Sequence, residues 1–108
     1  MKLPAFIILL IVHVQLVFAQ DADPLINKGN EAYRAQQYEK AAQAYKAALE
    51  KNPDNATASF NMGNALFKEK KFEEAAKVFE EAVKKTSEKK MLSELYYNKG
   101  VSFTRQKK

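Results

Sequence analysis

The chain of 108 residues has no cysteine and no tryptophan, and only three glycines, three prolines and one histidine. Without cysteine there are no disulfides, so a small exported domain of this sequence must be held by packing alone. A lipid-modified cysteine at an export cleavage site is excluded too. The single histidine, His13, sits in the one long apolar stretch. That stretch starts after Met1-Lys2, runs unbroken from Ala5 to Val12 and closes on Val17-Phe18-Ala19. A short positive start, an apolar centre and small or β-branched residues before the cut describe a signal peptide over residues 1–19, cleaved before Gln20. The alternative is a retained anchor, but Leu3 to Ala19 is short for a span of ~20 residues. Cleavage removes Lys2 and no acidic residue, so the net charge of +5 falls by one. The mature chain then has neither histidine nor cysteine, its serines and threonines lack an evident base, and no glycine-rich phosphate loop is present. No enzymatic activity, metal or cofactor is expected.

What is present is a repeat. Gly29, Gly63 and Gly100 each sit in one phrase: Asn27-Lys28-Gly29-Asn30, Asn61-Met62-Gly63-Asn64 and Asn98-Lys99-Gly100-Val101. With units at 22–55 and 56–89, Tyr38 aligns with Phe72, Ala41-Ala42 with Ala75-Ala76, Tyr45 with Phe79, and Ala48 with Ala82. A third, partial unit is expected over 93–108, after a short insertion around Glu88 to Leu92.

Each unit predicts two helices. Asp23 is a good N-cap with Pro24 at the first helical position, and this helix should reach about Ala35. After a turn at Gln36-Gln37 the second helix runs from Tyr38 to about Lys51, where Pro53 ends it. The second unit predicts helices at Ala56 to Glu69 and Phe72 to about Thr86. Apolar residues three and four apart mark their buried faces, and no segment alternates like a strand. Glycine inside a helix costs ~1 kcal/mol relative to alanine. The glycine column is therefore read as a place where the helix backbones of a hairpin approach closely, with Tyr45 and Phe79 filling the space between neighbouring repeats.

These residues resemble the tetratricopeptide (TPR) family. The small-residue columns, the steps Ala41-x-x-x-Tyr45 and Ala75-x-x-x-Phe79, and the closing Pro53 carry the likeness. It implies an all-α helical-hairpin solenoid of two full repeats and the first helix of a third. Three positions depart from the pattern: Lys28 and Lys99 replace a large apolar residue, and Ser87 replaces a closing proline. The phrases Leu25 to Tyr33, Phe60 to Phe67 and Tyr96 to Gly100, behind a signal peptide, resemble the exported TPR proteins of Bacteroides aerotolerance (Bat) operons. That resemblance implies a non-catalytic scaffold in the periplasm of a Gram-negative bacterium, partnered by von Willebrand A-type membrane proteins.

In stacked hairpins the first helices line the concave side. Their residues not needed for the core are Asn27, Asn30, Tyr33 and Arg34; Phe60, Asn61, Asn64, Phe67 and Lys68; and Tyr97, Asn98, Val101 and Arg105. A primary amide both donates and accepts hydrogen bonds, so this row can hold the backbone of an extended peptide while the aromatics grip its side chains. Some TPR domains clamp a C-terminal carboxylate with asparagines and basic residues. Asn30 and Asn61 match the asparagines, but Ile26, Glu94 and Asn98 stand where the basic residues would be, which predicts against that ligand.

The carboxylates Glu39, Glu73, Glu74, Glu80 and Glu81 mostly alternate with lysine as solvated pairs. Between Lys84 and Lys108 eight basic residues face two acidic ones, so the alternative reading is an electrostatic adaptor for an anionic membrane or an acidic partner. Nucleic acid is disfavoured by export. Asn55-Ala56-Thr57 is a glycosylation sequon, relevant only in a eukaryotic secretory pathway. Tyr96, Gly100 and Phe103 offer a packing face without a following helix, to be closed by further chain, by self-association or by a partner.

Overall fold

The computed structural model describes residues 23–106. The expected signal peptide, with His13, lies outside them. Five helices follow one another: α1 (Pro24–Arg34), α2 (Tyr38–Lys51), α3 (Ala56–Lys68), α4 (Phe72–Val83) and α5 (Lys89–Gln106). No strand occurs among the described residues. Each helix packs on the next, and α3 also meets α5. The result is two hairpins, α1–α2 and α3–α4, with α5 stacked as the first helix of a third.

Local chemistry explains the boundaries. The Asp23 carboxylate accepts from the Leu25 N–H at 2.9 Å, with Pro24 at the first helical position. The Asn55 side chain does the same for α3, accepting from the Ala58 N–H at 3.0 Å. Both satisfy amides that the first turn leaves unpaired. The two hairpin turns are alike. Gln36 and Lys70 adopt left-handed φ values of 60° and 65°. The N–H groups of Gln36 and Gln37 donate to Tyr33 and Ala32, and those of Lys70 and Lys71 donate to Phe67 and Leu66. This is the pairing that closes a helix through one left-handed residue.

Two boundaries depart from the expectation. α4 stops at Val83, because the Lys84 and Lys85 N–H groups donate only three residues back, to Glu81 and Ala82, tightening the last turn. α5 starts at Lys89, not near Ser93. The extra residues extend the helix by about a turn: the Leu92 N–H donates to the Glu88 carbonyl, and nothing in Lys89 to Leu92 opposes helix.

The core is one continuous cluster in which Ala32, Ala41, Ala42, Ala65, Ala75 and Ala82 pack with Tyr45, Phe79, Leu66 and Leu95. Its glycines make room for rings, which corrects the expectation of backbone meeting backbone. A Cβ on Gly29 would lie 2.5 Å from the Tyr45 ring, and one on Gly63 would lie 2.6 Å from Cδ1 of Phe79. Each aromatic therefore seats on the glycine of its own hairpin. Phe79 also meets Phe60 edge to face, with centroids 6.5 Å apart. Gly100 breaks the column, since a Cβ there would meet nothing within 4 Å. Lys99, at the position of Met62, is accommodated by Glu80, 3.9 Å away on α4.

Candidate functional site

α1, α3 and α5 bring eleven of the thirteen candidate residues into one groove of two adjoining hollows. The first encloses about 180 Å³ and is lined by Asn30, Tyr33, Arg34, Tyr45, Asn61 and Asn64. The second encloses about 250 Å³ and is lined by Tyr33, Asn64, Phe67, Lys68, Tyr97, Asn98, Val101 and Arg105. Tyr33 and Asn64 belong to both, so the hollows form a continuous trough. Asn27 is exposed and lines neither hollow. Phe60 packs on Phe79 in the core cluster and also lines neither.

The asparagines are tied to one another across repeats. The Asn61 amide donates to Oδ1 of Asn30 at 3.4 Å, and the Asn98 amide donates to Oδ1 of Asn64 at 3.1 Å. These bonds form rungs from α1 to α3 and from α3 to α5. Asn30 Oδ1 takes a second, shorter bond of 2.6 Å from the Tyr45 hydroxyl. Among the described residues the amide NH₂ groups of Asn30 and Asn64 and the Oδ1 atoms of Asn61 and Asn98 have no partner. Half of each amide is thus fixed and half is open to the trough.

Tyr45 is the site residue that sequence reasoning assigned only to the core. Its ring is buried, but its hydroxyl reaches the floor of the first hollow. The available signal was the pairing with Phe79: one member of an otherwise equivalent pair carries a hydroxyl. Burial raises the Tyr45 pKa above its ordinary value, helped by nearby Tyr33 and opposed by Arg34. It therefore remains a donor to Asn30. Burial also raises that of Tyr33, with Tyr38 adding to it.

The rings are braced from behind. Tyr33 meets Tyr38 at 5.2 Å, and Phe67 meets Phe72 at 5.1 Å, both edge to face. Tyr97 is 73% exposed. Arg34, Lys68 and Arg105 supply the charge; none of them forms an ion pair among the described residues, and no acidic residue lines either hollow. The trough is consequently polar at the first hollow, with Arg34, and more apolar at the second, which also holds Lys68 and Arg105.

The basic C-terminal end is partly engaged within the fold. Lys85 donates to the buried Ser59 hydroxyl at 2.7 Å, Lys84 pairs with Glu81 at 3.3 Å, and Lys99 faces Glu80. No helix among the described residues is long and apolar enough to cross a membrane.

Residues 26–89 match the tetratricopeptide repeat family. The chain belongs to that family. TPR repeats generally mediate protein–protein interaction, and TPR domains in general bind protein partners. Compared with curated proteins, the chain has no match.

Proposed function

We propose that this TPR chain is a non-catalytic scaffold that binds an extended segment of a partner protein along the α1–α3–α5 trough. The observation that carries this reading is the half-fixed asparagine row. Each rung holds one end of an amide still, leaving a donor or acceptor at a defined position for a peptide backbone. Fixed groups lose little freedom on binding, which raises affinity for a given set of contacts. The second hollow takes an apolar or aromatic side chain between Phe67, Tyr97 and Val101. Arg34, Lys68 and Arg105 favour acidic residues beside it.

We place the scaffold in the periplasm of a Gram-negative bacterium, in an aerotolerance-type complex with a von Willebrand A-type membrane protein. The first nineteen residues and the resemblance to Bat-operon proteins support this placement. Intact mass of the exported product tests it: a mature chain starting at Gln20 is expected, and retention of residues 1–19 counts against it.

The trough is tested by affinity capture from envelope extracts with the mature chain and with Tyr97→Ala/Arg105→Ala. These side chains are exposed, so their removal leaves the fold intact. Loss of a partner with the double variant is expected; an identical captured set refutes the assignment. Binding through the trough has only the contacts of Arg34, Lys68 and Arg105 to lose to screening, so it should weaken by a modest factor between low and physiological salt. A steep salt dependence would instead support the electrostatic adaptor.

A further inference from the structure

One basic residue recurs at the same place in every first helix. Arg34, Lys68 and Arg105 stand five residues after Gly29, Gly63 and Gly100, each in the last turn of its helix. The asparagine rungs show that this register in sequence is also a register in space. Each rung runs from the asparagine two residues before one glycine to the asparagine just after the preceding glycine: Asn61 to Asn30, then Asn98 to Asn64. α5 is therefore stacked on α3 as α3 is on α1, and the three cations form a column across the stack. Arg34 lines the first hollow, Lys68 and Arg105 the second. All three are exposed, and none has an ionic partner among the described residues.

We propose that the trough takes a polyproline II segment of a protein partner with an acidic residue at every third position. The inference rests on the reading of the trough as a peptide groove, and adds the ligand's conformation and charge pattern. Helices packed side by side lie about 8–10 Å apart, so the column offers one cation per step of that length. A polyproline II segment rises about 3.1 Å per residue with three residues per turn. Every third side chain then points the same way, at intervals of about 9 Å, and meets the column in step. A β-strand places same-side residues only about 7 Å apart. An α-helix covers about 10.5 Å in seven residues, but its own hydrogen bonds use up the backbone groups that the asparagines need. A polyproline II backbone makes no internal hydrogen bonds. The open amide NH₂ groups of Asn30 and Asn64 are left to take its carbonyls, and the open Oδ1 atoms of Asn61 and Asn98 its N–H groups.

The probes are three blocked nine-residue peptides, titrated into the full chain by calorimetry at low salt. One consists of three Glu-Pro-Ala triplets, one has the same composition with its glutamates consecutive, and one has glutamine in place of glutamate. The triplet peptide is expected to bind about fivefold or more tightly than either control. Arg34→Gln, Lys68→Gln and Arg105→Gln should each weaken it by about two- to fivefold. No binding of the triplet peptide, or equal binding of the triplet and consecutive peptides, overturns the proposal. So does a column that serves only the carbonyl ends of its helices, seen as a lowered urea midpoint with unchanged affinity in the three variants. Tyr97→Ala tells this failure from that of the trough itself. If the glutamine peptide binds as well as the triplet peptide and Tyr97→Ala weakens both, the groove stands and the charge pattern falls. If the peptides bind and Tyr97→Ala weakens none of them, the groove falls with it.

Discussion

Replacing each glycine with alanine should give effects of opposite sign at equivalent positions of one repeat. At Gly63 the new Cβ would stand 2.6 Å from Cδ1 and 3.0 Å from Cζ of Phe79, a ring that is fully buried and braced by Phe60. Overpacking of this kind costs about 1–3 kcal/mol, offset by a gain of about 1 kcal/mol in helix propensity. The ring has no room to retreat, so a net loss of about 1–2 kcal/mol is expected. Gly29→Ala should behave similarly against Tyr45. At Gly100 only the propensity gain of up to about 1 kcal/mol operates. The melting temperatures of Gly63→Ala and Gly100→Ala should therefore differ by roughly 10 °C or more for a domain of this size. Far-UV circular dichroism during urea and thermal unfolding measures this. The double variant Gly63→Ala/Phe79→Leu should recover part of the loss, with a coupling of about 1 kcal/mol between the two sites. If Gly63→Ala is as stable as the original chain, the ring does not need the glycine and the reasoning about the column fails.

Gln36→Gly and Lys70→Gly should each stabilise the fold by about 0.5–1 kcal/mol in urea melts, because a non-glycine residue pays for its left-handed backbone; destabilisation would show that those side chains hold contacts of their own. Asn55→Ala should cost about 1 kcal/mol through loss of the α3 cap, and an unchanged urea midpoint would mean the cap is dispensable. The raised pKa values of Tyr45 and Tyr33, each with an ordinary value of 10.0, mean that the fold disfavours the phenolate. Their contribution is complete below pH ~10 and is lost as pH rises through the folded values. Unfolding followed from neutral to strongly alkaline pH should show that decline, and Tyr45→Phe should make it shallower.

The hairpins were legible because their determinants are local. Asp23-Pro24, Pro53, the alanine columns and the apolar spacing each act within a few residues, and the helices stop and start close to them. The start of α5 is not legible, because no residue between Glu88 and Ser93 marks a boundary and only the continuity of the backbone hydrogen bonds decides it. The purpose of the glycine column was half legible. Spacing shows that something must come close, but a ring and a backbone leave the same sequence trace. The groove row could be read from helical periodicity at eleven positions. Periodicity places Asn27 and Phe60 on the same helices but does not show that Phe60 turns to Phe79. The links between asparagines were not legible, since a rung depends on the offset between neighbouring repeats, which sequence spacing alone does not set.

Those links decide how the asparagine row should be tested. Asparagine within a helix costs about 0.6 kcal/mol relative to alanine, so Asn30, Asn61, Asn64 and Asn98 together cost about 2.5 kcal/mol. Two rungs and the Tyr45 bond return about 1 kcal/mol each, or about 3 kcal/mol in all. For stability the row is nearly neutral, and a row kept only to hold the repeats together would be better served by apolar contacts. Asn64→Ala removes one rung and one propensity penalty, so its stability should change by less than about 1 kcal/mol. Its affinity for a partner bound in the trough should fall by about tenfold, because Asn64 lines both hollows. Urea melts and a binding titration on the same variant separate the two roles. A stability loss above about 2 kcal/mol with unchanged affinity would make the row a structural brace rather than a recognition surface.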